Sequence, residues 1–241
     1  MDDVTVDRDR CDQAATSVLG TKEHWDSCYE TELANYAEHG DEGEIWFGKR
    51  VESQMCAYIA EQVNCATATV VDLGCGNGAM LRRLHSLGFT QLTGLDYSQS
   101  SIDLCTAIGR DQSTIDNAPI QYHTIDIVMD PLPQTLVTAF DVVCDKGTFD
   151  AISLSPNSSS VRQRYARAVH QLLKNNANSM FVICSCNFTS DELTAFFAQA
   201  KVRDSDLFVL HSVLPAVAKP IQFGGRCGQT TSICVFRKVV L

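Results

Sequence analysis

The stretch Val70-Val71-Asp72-Leu73-Gly74-Cys75-Gly76-Asn77-Gly78 runs from an apolar, β-branched segment into a loop with glycine at alternate positions, and a helix-like segment follows from Ala79. A strand, a tight turn and a helix in that order form a cofactor cradle. Glycine lets the backbone turn sharply and approach a ligand where any Cβ would collide. Asp72 adds a carboxylate at the end of the strand.

Two kinds of ligand fit such a loop. Gly74-x-Gly76-x-x-Ala79 satisfies the dinucleotide fingerprint, in which glycines admit a pyrophosphate to a helix N-terminus. Two features favour S-adenosylmethionine instead: the acid two residues before the first glycine, and the further glycine at Gly78. A pyrophosphate gains nothing from a carboxylate beside it, whereas the ammonium and sulfonium of S-adenosylmethionine do.

A chain of 241 residues can bury a full core, and one α/β domain with an N-terminal extension suits it better than two domains. No apolar run approaches the roughly 18 residues needed to span a bilayer, and the start, Met1-Asp2-Asp3-Val4, is acidic where a signal peptide is basic. These features predict a soluble, intracellular protein; the expected localisation is cytoplasmic, with the nucleus as a second compartment. The eleven cysteines are scattered without a Cys-x-x-Cys pair and read as reduced thiols. Cys184 and Cys186 share one face of a strand, as small hydrophobes at the edge of a core. The six histidines show no metal-ligand spacing, so no metal site is expected.

The formal charge of −10 argues against a nucleic-acid substrate, since phosphate binding needs a basic face. Glu23, Asp26, Glu30, Glu32, Glu38, Asp41, Glu42 and Glu44 fall in one segment that holds no Lys or Arg. Such a run is either a solvated face or a docking surface for a basic protein.

Residues 1–22 are polar and lack periodicity, which predicts a disordered tail. Residues 23–241 then form a single domain, with a helical extension over 23–64. In that extension Trp25, Tyr29, Leu33 and Tyr36 recur at helical spacing, as do Val51, Met55, Tyr58 and Ile59. Apolar runs at 69–73, 91–95, 120–127, 140–144 and 180–184 predict strands, with helical stretches between most of them. Thr189-Ser190-Asp191-Glu192 has capping-box spacing and starts the last helix. The fold class is therefore α/β: a Rossmann-like, doubly wound, mostly parallel seven-stranded sheet. Strand-like runs at about 207–214 and 230–239 add a C-terminal antiparallel hairpin across the long loop from Pro215 to Gln229.

Ligands of such sheets lie above the carboxyl ends of the strands. Asp96, 18 residues after Gly78, ends the second strand, where its carboxylate can accept two ribose hydroxyls; the alternative is a cap on the helix beginning near Ser98. Asp126 ends the third, where it can accept an adenine amino group while Ile127 packs on the ring; the alternative is a turn aspartate. The fourth ends in Asp145-Lys146-Gly147-Thr148-Phe149-Asp150.

At this point the chain resembles the seven-strand (class I) methyltransferases that modify lysines of translation elongation factor 1-alpha, and within them the methyltransferase-like 10 branch. The carrying residues are Glu44-Ile45-Trp46-Phe47-Gly48, the Asp72 glycine loop, Asp145 to Leu154, Ser185-Cys186-Asn187-Phe188-Thr189 and Phe223-Gly224-Gly225-Arg226. The resemblance spans about residues 24 to 238. It implies a monomeric S-adenosylmethionine-dependent protein-lysine methyltransferase acting on elongation factor 1-alpha, with no nucleic-acid or membrane partner. The candidate cofactor set is Trp46, Asp72, Gly74, Cys75, Gly76, Asn77, Gly78, Asp96, Tyr97, Asp126, Ile127 and Asp145. The candidate catalytic pair is Asp145, which orients the lysine nitrogen or the cofactor amino group, and Phe149, which walls an apolar lysine channel with Trp46, Phe47 and Phe223. A methylase of a small molecule or RNA, and a non-catalytic S-adenosylmethionine-binding scaffold, are the alternatives.

A docking role for the acidic segment predicts that affinity for the protein substrate falls as salt rises, measured by titration at increasing ionic strength. A flat response leaves only the solvated face.

Overall fold

The computed structural model describes residues 17–111, 119–156, 158–202, 205–216, 221–223, 226–228 and 231–239. After two helices, α1 (Lys22–His39) and α2 (Gly48–Gln62), strands and helices alternate: β1 (Thr69–Leu73), α3 (Ala79–Ser86), β2 (Gln91–Asp96), α4 (Gln99–Asp111), β3 (Gln121–Thr124) and β4 (Val142–Lys146). There follow α5 (Thr148–Ser153), α6 (Ser158–Leu172), β5 (Met180–Ser185) and α7 (Ser190–Gln199). Thr189 caps α7 with the reciprocal Glu192 contact that its spacing predicts.

The sheet has seven strands in the order β3-β2-β1-β4-β5-β11-β8, where β8 is Phe208–Leu214 and β11 is Ser232–Lys238. β1 to β5 are parallel, and β11 runs antiparallel to both β5 and β8. The doubly wound sheet and its C-terminal hairpin are as the sequence predicts. Two short ladders were not foreseen: β6 (Lys201–Val202) with β7 (Ser205–Asp206), and β9 (Ile221–Phe223) with β10 (Arg226–Gly228) inside the expected long loop. Gly224 and Gly225 lie outside the described residues. No helix among the described residues is long and apolar enough to cross a membrane.

Strand alternation divides the core into two layers. Val71, Leu73, Val143, Phe181 and Ile183 face one side, with Tyr165 and Val169 of α6 and Phe197 of α7. Val70, Val142, Cys144, Val182 and Cys184 face the other, with Met55 and Ile59 of α2 and Leu81 and Leu84 of α3. Cys184 is thus a core hydrophobe, whereas Cys186 lies past the strand end and is exposed. β3 is shorter than its apolar run because the Asp126 carboxylate accepts the amides of Val128 and Met129 at 3.0 Å each and closes a turn.

The N-terminal boundary also moves. Val18–Gly20 is a 3-10 turn with Ser17 as its cap, and the Trp25 indole donates to the Leu19 carbonyl at 2.8 Å. Residues 17–22 therefore belong to the folded unit and not to the tail; residues 1–16 lie outside the described residues. α1 is seated on α4 through Tyr29, Leu104 and Ile108, and the Tyr36 hydroxyl donates to Asp111 at 2.8 Å.

At the β4–α5 junction Asp145 is fully buried. Its carboxylate accepts the Thr148 and Phe149 amides at 2.9 Å each and the Tyr165 hydroxyl, so it caps α5 and ties it to α6. Burial pushes its carboxyl up to about 7, although these donors pull it down. An unfolded aspartate titrates near ~3.9. Between about pH 4 and about pH 7 the folded state therefore holds a proton that the unfolded state has lost, and stability falls as pH rises. Burial also raises Asp72, Asp96 and Asp150, with the same sign. Urea unfolding followed from pH 4 to 8 should show this decline, and Asp145→Asn should make it shallower.

Candidate active site

The strand order reverses between β1 and β4, so the loops after these strands diverge and leave a crevice above their carboxyl ends. A cavity of about 350 Å³ fills it. Its floor is the glycine loop. Gly74 and Gly76 take φ of +61° and +54°, which favours glycine over any other residue. A Cβ on Gly76 would lie 2.6 Å from the Tyr29 hydroxyl, and one on Gly74 would collide with Thr148. Gly78 does not line the cavity; it starts α3, and its missing side chain lets Tyr122 and Cys105 approach.

On the side toward β2 and β3 the wall is made by Asp96, Tyr97, Asp126 and Ile127. One Asp96 oxygen accepts the Gly76 amide at 3.1 Å and the other accepts the Ser98 amide at 3.0 Å, which joins the end of β2 to the glycine loop. A carboxylate has about four acceptor positions, so these two amides leave acceptor capacity on Asp96. Asp96 and Asp126 each play the local cap or turn role that the sequence allowed, and each also lines the cavity.

A roof closes over this wall. Lys22 donates to the Tyr97 carbonyl at 2.8 Å and lies over the Tyr97 ring at 4.4 Å, while Trp25 packs edge-on against Trp46 at 5.1 Å. Asn77 lines the cavity but spends its amide hydrogens on the Glu42 and Glu44 carbonyls, at 2.9 and 3.2 Å. Glu42 pairs with Arg82 at 2.7 Å. Part of the acidic segment is thereby built into the roof.

Toward β4 and β5 the wall consists of Lys146, Gly147, Thr148, Asp150, Cys186 and Asn187. Here the structure corrects the sequence reading. Asp145 and Phe149 do not line the cavity; they face α6 and α7, where Phe149 sits among Tyr165, Phe188, Phe196 and Phe197. Alternation decides this: with Asp145 on the α6 side, Lys146 is turned to the opposite side, and its ammonium donates to the Trp46 carbonyl at 3.1 Å. Asp72 is likewise not among the cavity-lining residues, because it stands one residue before the end of β1. Burial raises its carboxyl, and the nearby Lys146 charge opposes that rise.

Trp46, Gly74, Cys75, Gly76, Asn77, Asp96, Tyr97, Asp126 and Ile127 are thus brought together as expected. Sequence reasoning missed Lys22, Tyr29, Thr148 and Asp150. Tyr29 belongs to an apolar helical stripe that signals only a buried face, and Asp150 carried a motif resemblance without a role. The Phe223 side chain lies outside the described residues. Among the described residues no group of three or more His, Cys, Asp or Glu side chains could hold a metal ion.

Comparison with known proteins places these features in a family. The family described as "Methyltransferase domain" matches residues 66–220. EEF1A lysine methyltransferase 2 of Homo sapiens is 37% identical over 224 residues, covering 92% of this chain and 88% of the relative. The protein-lysine N-methyltransferase EFM4 of Saccharomyces cerevisiae is 36% identical over 237 residues, covering 93% and 96%. The chain belongs to the EEF1A lysine methyltransferase 2 family. A solved TehB-like SAM-dependent methyltransferase from Corynebacterium glutamicum superposes with a TM-score of 0.56 at 18% identity, covering 89% of this chain and 98% of that one, a likeness of fold alone. As a member of this family the protein is an S-adenosylmethionine-dependent methyltransferase, and the cavity suits that cofactor: Asp96 and Asp126 line it with carboxylates that can accept hydroxyl and amino donors.

Gly76→Val should therefore weaken S-adenosylmethionine binding by at least about tenfold, equivalent to about 1.4 kcal/mol. Calorimetry measures the affinity, and an unchanged circular dichroism spectrum shows that the sheet persists.

Proposed function

We propose that this protein methylates a lysine side chain of translation elongation factor 1-alpha. Near full-length similarity carries the reading: the human relative is named for that activity, and the yeast one is named a protein-lysine N-methyltransferase. The backbone of Gly74 and Gly76 would cradle the cofactor, Asp96 would take the ribose hydroxyls, and Asp126 with Ile127 would take the adenine. Bound there, the cofactor supplies a methyl group on a positively charged sulfur.

The chain itself must present the lysine without its proton. Free lysine titrates near ~10.4, and lowering that to about 7 takes about 4.6 kcal/mol of differential stabilisation. Trp46, Phe47, Ile152 and Leu154 wall the cavity and keep water from the ammonium, which disfavours its charge. Phe47 is held there at a φ of 64°, an unusual conformation for a side chain of that size, with the Gly48 amide bonded to the Ile45 carbonyl at 2.8 Å. Asp145 supports this wall from behind by capping α5.

The exposed Glu23, Glu30, Glu38 and Asp41 surround the roof with negative charge suited to a basic protein surface. The enzyme works as a monomer in the cytoplasm, and in the nucleus wherever its substrate resides there. Mass spectrometry of elongation factor 1-alpha from cells lacking the protein tests the function. One lysine should lose its methylation, and the wild type but not Gly76→Val should restore it. Unchanged methylation would refute the assignment.

A further inference from the structure

The wall that meets the incoming lysine contains a carboxylate whose place in the fold differs from that of Asp145. Asp150 lies in the first turn of α5, is 6% exposed and lines the cavity at its β4–β5 end. The other carboxylates around the cavity, among the described residues, are Asp96 and Asp126 near β2 and β3, and Glu44 on the covering segment. Asp150 is clamped in place by the Ser185 hydroxyl on one oxygen and by the Cys186 amide, at 2.8 Å, on the other. Both donors come from the carboxyl end of β5, so the carboxylate cannot swing away. Among the described residues no ion pair engages it.

A buried carboxylate without a cation is costly unless a ligand supplies one. The ligand expected at this wall is a lysine ammonium. We propose that Asp150 is the catalytic carboxylate that receives the substrate ammonium and takes its proton. This rests on the reading of the protein as a lysine methyltransferase. An N–H bond of the ammonium breaks and an O–H bond forms on Asp150, so an ion pair becomes a neutral amine and a neutral acid. The nitrogen lone pair is thereby exposed for methylation, and the acid later returns its proton to water at the cavity mouth. Burial holds the Asp150 carboxyl above the usual range against the pull of its Ser185 and Cys186 donors, which brings the two groups closer in proton affinity. In an apolar cavity the neutral pair is favoured over the charged one for the same reason.

The test uses the purified full chain with elongation factor 1-alpha as methyl acceptor and compares Asp150→Asn with Ser185→Ala, which removes a clamp but keeps the carboxylate. Asp150→Asn should lower kcat by about a hundredfold or more. Its calorimetric affinity for S-adenosylmethionine and its melting temperature should stay near those of the wild type. The inflection in the wild-type rate at low pH, where the carboxylate gains its proton from solvent, should vanish in Asp150→Asn, whose residual rate should instead climb steadily with pH as the substrate ammonium deprotonates. Ser185→Ala should retain transfer within about tenfold, with that low-pH inflection still present. A rate for Asp150→Asn within about threefold of wild type, with an unchanged pH profile, overturns the proposal. So does an equal loss of transfer, cofactor affinity and melting temperature in both variants, which would leave Asp150 as an anchor only. Should Asp150→Asn not fold, Asp150→Glu decides: the low-pH inflection should shift, and an unshifted one overturns the assignment. A wild type that methylates no protein would instead sink the lysine reading, and this inference with it, whatever the variants do.

Discussion

Between β1 and β4 the chain leaves the sheet in opposite directions, and the carboxyl ends of both strands are left uncovered by any crossover helix. Backbone groups there need partners, and the loops that supply them also make the site. The Gly76 amide goes to Asp96, the Thr148 and Phe149 amides go to Asp145, and the Thr148 hydroxyl goes to the Leu73 carbonyl at 2.7 Å. The Asp96 and Leu73 contacts fix a loop against a neighbouring strand, and the Asp145 contacts tie α5 to the strand it follows. The cavity is what remains when these demands are met.

Four buried aspartates follow from that geometry, and each has a different place. Asp96 links β2 to the glycine loop, Asp145 caps α5 from the α6 side, Asp150 clamps the end of β5, and Asp72 lies within the field of Lys146. Desolvation raises all four carboxyls. Such a concentration of buried acid lowers stability at neutral pH, which the molecule sustains because two continuous apolar layers lie on either side of the sheet. The site is expensive to maintain and suits a positively charged cofactor and substrate.

Much of this was legible in the chain. The glycine loop, the alternation of apolar runs with helical stripes, and the Thr189 capping box each depend on neighbours in sequence, and each appears where the spacing puts it. The C-terminal strands were legible for the same reason, since two apolar runs without a helix between them pair most simply as antiparallel neighbours. What misled was the assumption that an acid at a strand end points at the ligand. Asp96 and Asp126 do line the cavity. For Asp145 the assumption fails, because side chains alternate along a strand and a shift of one residue sends the carboxylate to the opposite layer.

The sequence by itself determined the doubly wound fold, the cradle and the nature of the cofactor, because these rest on local spacing and on the absence of a Cβ where backbone must come close. Only the tertiary structure decided which carboxylate faces the cavity and which residues cover it. Trp25 and Tyr29 are read from sequence as part of one turn-by-turn stripe of a helix, and Lys22 as the end of a disordered tail. They become a roof because α1 docks on α4 and brings residues about 50 positions away over the glycine loop, a pairing set by packing between distant segments and written in no short stretch of the chain.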